Sequence, residues 1–185
     1  MNNWYKKAQH FNDGRNTAMF EYISRRQKPG MNEEEKRIRD ISYRLKNKED
    51  VEAIEFAASA MAKQVRPNSI LIPIPSSSGL TDANMALANA IASKTNSKVY
   101  DILSRSEPTI PLHQRRKTEG IKGEIGSDYH KMTIKEESLL SQLARRKLIY
   151  LVDNVITSGS TLDAARKALN LPKAFGIAFS KVFSI

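Results

Sequence analysis

The chain has 185 residues, of which 40 % are hydrophobic and 27 % charged, with a net charge of +10 and no cysteine. This balance suits a soluble globular domain with a real core, and it excludes disulfide scaffolds, cysteine zinc sites and thiol catalysis. No uncharged apolar run reaches the roughly 18 residues of a predicted membrane span, and Met1-Asn2-Asn3-Trp4-Tyr5-Lys6-Lys7 has no apolar stretch behind it to make a secretory signal, so a cytoplasmic setting is expected.

Residues 1–65 read as helical. A short helix is expected over 17–26, ended by Lys28-Pro29-Gly30. Asn32 is placed to cap a second helix through Lys46, with Glu33, Glu34 and Glu35 in the turn where the helix dipole favours acids. Asp50 is placed to cap a third, in which Val51, Ile54, Ala57, Ala58 and Met61 recur at helical spacing. The chain changes character at Arg66-Pro67-Asn68. Beyond it, strands are expected at 69–74, 98–103, 147–152 and 174–182, and helices at 81–94, 133–145 and 161–170. The helix at 133 is expected from Thr133-Ile134-Lys135-Glu136, which has the form of a capping box. Residues 105–131 are irregular, broken by Pro108, Pro111, Gly120, Gly123 and Gly126. Strands alternating with helices predict an α/β fold with a parallel sheet.

The most informative stretch is residues 148–162, where Leu148-Ile149-Tyr150-Leu151-Val152 runs into Asp153-Asn154-Val155-Ile156-Thr157-Ser158-Gly159-Ser160-Thr161-Leu162. A strand, a short loop of hydroxyls with a glycine, and then a helix at once would point successive backbone N–H groups into one small space. The helix N-terminus adds about half a positive charge there, so a phosphate is the natural occupant. Thr157, Ser158 and Thr161 can donate further hydrogen bonds, while Asp153 would sit at the carboxyl end of the strand, where open α/β sheets bind ligands. The same residues would also serve as an ordinary helix cap.

The string resembles the 5-phosphoribosyl-1-diphosphate (PRPP) signature of type I phosphoribosyltransferases: an apolar strand, two acids, two apolar residues, two hydroxyls, a glycine, any residue and a threonine. Asn154 stands where the second acid belongs. The resemblance implies the type I phosphoribosyltransferase fold, a parallel sheet flanked by helices. Thr157, Ser158, Gly159, Ser160 and Thr161 would then hold the 5-phosphate, and Asp153 and Asn154 would meet the ribose hydroxyls as the catalytic pair.

Ile72-Pro73-Ile74-Pro75-Ser76-Ser77-Ser78-Gly79, followed by Asn84, is similar to the ComF-like branch of that family. By that resemblance Ser76, Ser77, Ser78 and Gly79 form the pyrophosphate loop, although it contains no cation and Asp82 follows it. The segment from Arg105 to Gly123 resembles the family's closing flap, with Leu112, Ile121 and Gly123 matching and Arg105, Arg115, Arg116 and Lys117 as its candidate cations. On this reading residues 66–185 form the phosphoribosyltransferase-like domain. Residues 1–65 form an N-terminal helical segment serving as a hood over the site, a homodimer surface or a partner-binding module.

The family reaction displaces pyrophosphate from PRPP with a nitrogen base, with Mg²⁺ as cofactor, and needs no covalent nucleophile. His10, His113 and His130 have no metal-site or triad spacing, and no protein-held metal set is expected. Two classes stand side by side: a transferase, and a non-catalytic sensor or regulator that binds PRPP or a nucleotide. Eight of the ten net positive charges lie beyond residue 60, where eighteen basic residues stand against ten acidic ones, which suits phosphate ligands and admits nucleic acid without any motif for it. Phe179 and Phe183 are candidates for stacking on a base.

Overall fold

The computed structural model describes residues 11–23, 30–110, 126–137, 143 and 148–182. The strands are β1 (Phe11–Asn12), β2 (Asn16–Tyr22), β3 (Ile70–Pro73), β4 (Lys98–Val99), β5 (Leu103–Arg105), β6 (Met132–Ile134), β7 (Ile149–Ile156) and β8 (Phe175–Val182). The helices are α1 (Glu33–Arg44), α2 (Val51–Met61), α3 (Asp82–Thr95) and, named here α4, Ser160–Leu169. A six-stranded sheet has the order β1-β2-β8-β7-β3-β4. Every pairing in it is parallel except β1 with β2. β5 and β6 form a separate antiparallel ribbon. The chain is thus α/β, with a mostly parallel central sheet flanked by helices.

Strand residues alternate between two cores, as the pleat requires. Leu71, Val152, Ile177 and Phe179 face α1, α2 and α3, packing with Ile38, Ala57, Met61, Leu87 and Ile91. Ile70, Ile72, Leu151 and Ala178 face the other way, onto Leu162, Ala165 and Leu169 of α4 and onto Ile102 and Leu103. The caps at Asn32 and Asp50 form as expected. Asn32 Oδ1 accepts from the Glu35 N–H at 2.9 Å while Glu35 Oε2 accepts from the Asn32 N–H at 2.9 Å, and Asp50 Oδ1 accepts from the Ala53 N–H at 3.1 Å.

Three expected elements differ. The helix over 17–26 is corrected: Asn16–Tyr22 is a strand, paired in parallel with β8 from Asn16↔Gly176 to Tyr22↔Val182. Ala18 enters one core and Met19 and Phe20 the other, so burial on both faces overrides the local helical reading. Residues 11–22 therefore extend the central sheet itself, and among the described residues of 1–65 the helical ones are α1, α2 and a 3-10 turn at Ala62–Gln64. The single strand over 98–103 is divided: β4 stays beside β3, while β5 leaves the sheet to pair with β6. The capping box at Thr133 does not form. Thr133 lies within β6, its hydroxyl 2.8 Å from Ser104 Oγ, and Lys135 donates to Asp101 Oδ2 at 2.6 Å. Among the described residues no helix is long and apolar enough to cross a membrane.

Candidate functional site

β3 and β7 are adjacent and parallel, yet the chain leaves them in opposite senses. From β3 it passes through α3 to β4, and from β7 through α4 to β8 on the other side. α3 covers one face and α4 the other. Two diverging connections leave a crevice at the carboxyl ends of the strands, the place where open α/β sheets bind ligands. A cleft of about 630 Å³ opens there. Ser76, Ser77 and Ser78 line it from the β3 side, and Asp153, Asn154, Thr157 and Thr161 from the β7 side. Arg105, Tyr129 and His130 close one flank, and Lys46, Asn47 and Lys48, from the connection between α1 and α2, close another.

The β7–α4 loop has the form expected of an anion cradle. Gly159 lies at φ +89°, the left-handed region that side chains disfavour. The turn it makes starts α4 directly, and no side chain of the N-cap residue satisfies the first-turn N–H groups. The Ser160 N–H reaches Ser158 Oγ at 3.4 Å, and the remaining first-turn donors and the helix dipole lie beside Thr157 and Thr161, which line the cleft. Ser158 and Ser160 turn toward each other, with 2.9 Å between their hydroxyls, and Ser160 Oγ lies 2.8 Å from His130 Nε2.

Asp153 is strongly perturbed by its surroundings. Its Oδ1 accepts from the Asn154 N–H at 2.8 Å and from Asn84 Nδ2 at 3.2 Å. Burial nevertheless pushes its pKa from the ordinary 3.8 up to about 6, a rise that those hydrogen bonds and the charge of Arg105 only partly offset. Asn84 Nδ2 donates also to the Ile74 carbonyl at 2.8 Å, so one buried amide ties the end of β3 to Asp153. The Asn154 side chain lines the cleft, and no hydrogen-bond partner is assigned to it among the described residues.

Arg105 is drawn inward. Its Nε and Nη2 donate to the Pro75 carbonyl at 3.3 and 3.2 Å, and its Nη1 donates to the His130 carbonyl at 2.7 Å. It thereby braces the serine loop, and burial lowers its pKa against the pull of Asp153. His130 is 3 % exposed, and desolvation with Arg105 at hand brings its pKa down to about 4, so the ring is neutral near pH 7. Its Nδ1 lies 3.5 Å from Arg105 Nη1, a group that can only donate, so Nδ1 carries the lone pair. A polar chain from Arg105 through His130 to Ser160 thus joins the serine loop to the β7–α4 loop.

Most expected site residues converge. Asp153, Asn154, Thr157, Thr161, Ser76, Ser77, Ser78 and Arg105 share one cleft, while Ser158, Gly159, Ser160 and Gly79 shape the loops behind it. Arg115, Arg116 and Lys117 lie outside the described residues, as does Phe183. Phe179 is a core residue, 0 % exposed and packed 4.9 Å from Phe20 between ring centroids, which corrects its reading as a base-stacking candidate. Sequence reasoning missed His130, whose role exists only through its spatial neighbours. It also missed Lys46, named only as the end of a helix, and Lys48. Among the described residues no cluster of three or more His, Asp or Glu side chains forms a metal site. Comparison with models of known protein families and with curated protein sequences finds no match for the chain.

Proposed function

We propose that the chain binds PRPP and transfers its phosphoribosyl group to a nitrogen base with release of pyrophosphate, on a type I phosphoribosyltransferase fold. The observation that carries this reading is the start of α4 at Gly159, which makes no side-chain cap bond, lies beside Asp153 and Asn154 and opens on the same cleft as the serine loop. On this reading the first-turn N–H groups of α4, with Thr157 and Thr161, hold the 5-phosphate. Asp153 and Asn154 accept from the ribose hydroxyls. The bond from C1 to the pyrophosphate oxygen breaks, its electron pair leaving with pyrophosphate. The base nitrogen forms the new bond to C1, and its proton passes to solvent. Positive charge develops on the ribose between these events, and the carboxylate of Asp153, ionised above about pH 6, stabilises it.

Magnesium fits this donor set in a restricted way. Asp153 Oδ2 and the Asn154 amide oxygen face the cleft region without assigned partners among the described residues, and no carboxylate cluster accompanies them. Such a pair can share an ion held chiefly by ligand phosphates and water. When bound, Mg²⁺ neutralises charge on the departing pyrophosphate.

Asn154 favours a second reading, a sensor or regulator that holds PRPP or a nucleotide without turning it over. An amide accepts a ribose hydroxyl but supplies no charge to a developing cation. Calorimetry with PRPP and Mg²⁺, followed by pyrophosphate release across a panel of nucleobases, tests both readings. Binding with turnover supports the transferase, binding without turnover the sensor, and no binding by either the parent or Asn154→Asp rejects both.

A further inference from the structure

The loop expected to take pyrophosphate has hydroxyls but no cation, and Arg105 spends its donors on backbone carbonyls. The α1–α2 connection, which the phosphoribosyl motifs do not touch, brings cations to the same cleft. This connection is built to hold its shape. Arg44 grips Asp50 with two hydrogen bonds of 2.8 Å and Glu52 with one of 2.7 Å, which closes the turn from α1 into α2. The Glu49 N–H donates to Asn47 Oδ1 at 3.0 Å, and the Asp50 N–H to the Asn47 carbonyl at 3.2 Å.

Those acids are thereby committed to Arg44, and Lys46 and Lys48 are left facing the cleft. Lys46 has no carboxylate partner among the described residues; its ammonium lies 5.3 Å from the centre of the Tyr43 ring. Lys48 meets Asp82, in the first turn of α3, at 3.0 Å, and that contact raises its pKa. In the same cleft, the Ser77 and Ser78 N–H groups have no assigned acceptor among the described residues, whereas those of Ser76 and Gly79 are used within the turn. Two cations on a stapled turn thus share the cleft with two open N–H groups and with the hydroxyls of Ser76 and Ser78, which lie 2.8 Å from each other.

We propose that Lys46 and Lys48 are the cationic half of a diphosphate-binding site completed by Ser76–Ser78, with Asp82 as the internal counter-ion of Lys48 that an incoming diphosphate displaces. The proposal deepens the phosphoribosyl reading and rests on it for the identity of the whole ligand. The site selects ligands carrying a diphosphate over those carrying the 5-phosphate alone.

Calorimetry at low salt with three separate probes, inorganic pyrophosphate, ribose 5-phosphate and PRPP, tests it. Lys46→Ala/Lys48→Ala is expected to weaken pyrophosphate and PRPP about tenfold to a hundredfold, the scale of charge-assisted hydrogen bonds, and to leave ribose 5-phosphate unchanged. Both lysines are exposed, so ribose 5-phosphate binding serves as the control for folding. Asp82→Asn should act in the opposite direction, tightening pyrophosphate severalfold, and only while Lys48 is present. Failure of pyrophosphate to bind the parent, or equal binding to parent and double-lysine variant, overturns the proposal. A parent that binds pyrophosphate but neither PRPP nor ribose 5-phosphate removes the phosphoribosyl reading instead, and the lysine variants still decide the diphosphate site.

Discussion

Asp153→Asn is expected to make the protein more stable near neutral pH while impairing ligand chemistry. The substitution keeps the side chain's shape, and the amide oxygen can still accept from the Asn154 N–H and from Asn84 Nδ2. What it removes is a charge held in a poorly solvated place. The carboxyl titrates at about 6 in the folded protein and at the ordinary 3.8 when unfolded, so the native state binds more protons across that window. Its contribution to stability is therefore unpenalised below about pH 4 and falls as pH rises, reaching a deficit of about 3 kcal/mol above pH 6. Partial exposure reduces the gain expected from the amide to about 1–3 kcal/mol at pH 7. His130 has the opposite slope: its pKa is down at about 4, so its contribution is present above its ordinary 6.5 and is lost as pH falls toward 4. In the parent the two slopes oppose each other between pH 4 and 6. In Asp153→Asn only that of His130 remains, and stability should climb with pH across the window. Urea unfolding midpoints between pH 4 and 8 measure this. A variant less stable than the parent at pH 7, or one differing from it equally at all pH values, refutes the reasoning.

Gly159→Val should abolish detectable ribose 5-phosphate and PRPP binding in calorimetry, because φ +89° strains a branched residue by about 1–3 kcal/mol and the side chain blocks close approach of the backbone. Asn154→Asp should raise turnover about tenfold to a hundredfold in a pyrophosphate-release assay if the protein is a transferase, the scale of one well-placed charge; the sensor reading expects no turnover before or after the change. Arg166→Ala should lower stability by about 2–4 kcal/mol, read as a drop in the urea midpoint, since the buried guanidinium donates to the Ala174 and Arg15 carbonyls and to Asn16 Oδ1. An unchanged midpoint would show that this clasp contributes nothing.

What was legible in the sequence was what local chemistry decides. The strand, glycine turn and helix around Gly159 need only neighbours within a few residues, and so do the caps at Asn32 and Asp50. Asn16–Tyr22 was not legible, because the partner that makes it a strand lies about 160 positions along the chain, as in Asn16↔Gly176. Thr133 misled for the same reason: its pattern offered a cap, but pairing with Ser104 competed and won. In the site, Asp153 was found because it follows an apolar run, although the strand expected to end at 152 continues through Asp153 to Ile156. Arg105 was found as a charge, yet its role of bracing Pro75 and His130 depends on carbonyls that no spacing rule brings together. Lys46 and Lys48 carry no local signal, and only the fold sets the α1–α2 turn in the same cleft as the serine loop.

The pairing of β2 with β8 has a consequence for how the molecule is made. β2 is synthesised about 160 residues ahead of its hydrogen-bonding partner, Phe175–Val182, as in the pairing Asn16↔Gly176. Until then Met19 and Phe20 have no strand edge to join, and β7 has an open side where β8 will enter. Loop closure over so long a separation is slow compared with local helix formation. α1, α2 and the β3–α3 unit can therefore take shape first, while the sheet's middle is filled only once Phe175–Val182 has been made. Any interruption of translation shortly before residue 175 would leave two unpaired edges exposed at once, the situation in which strands associate between chains rather than within one.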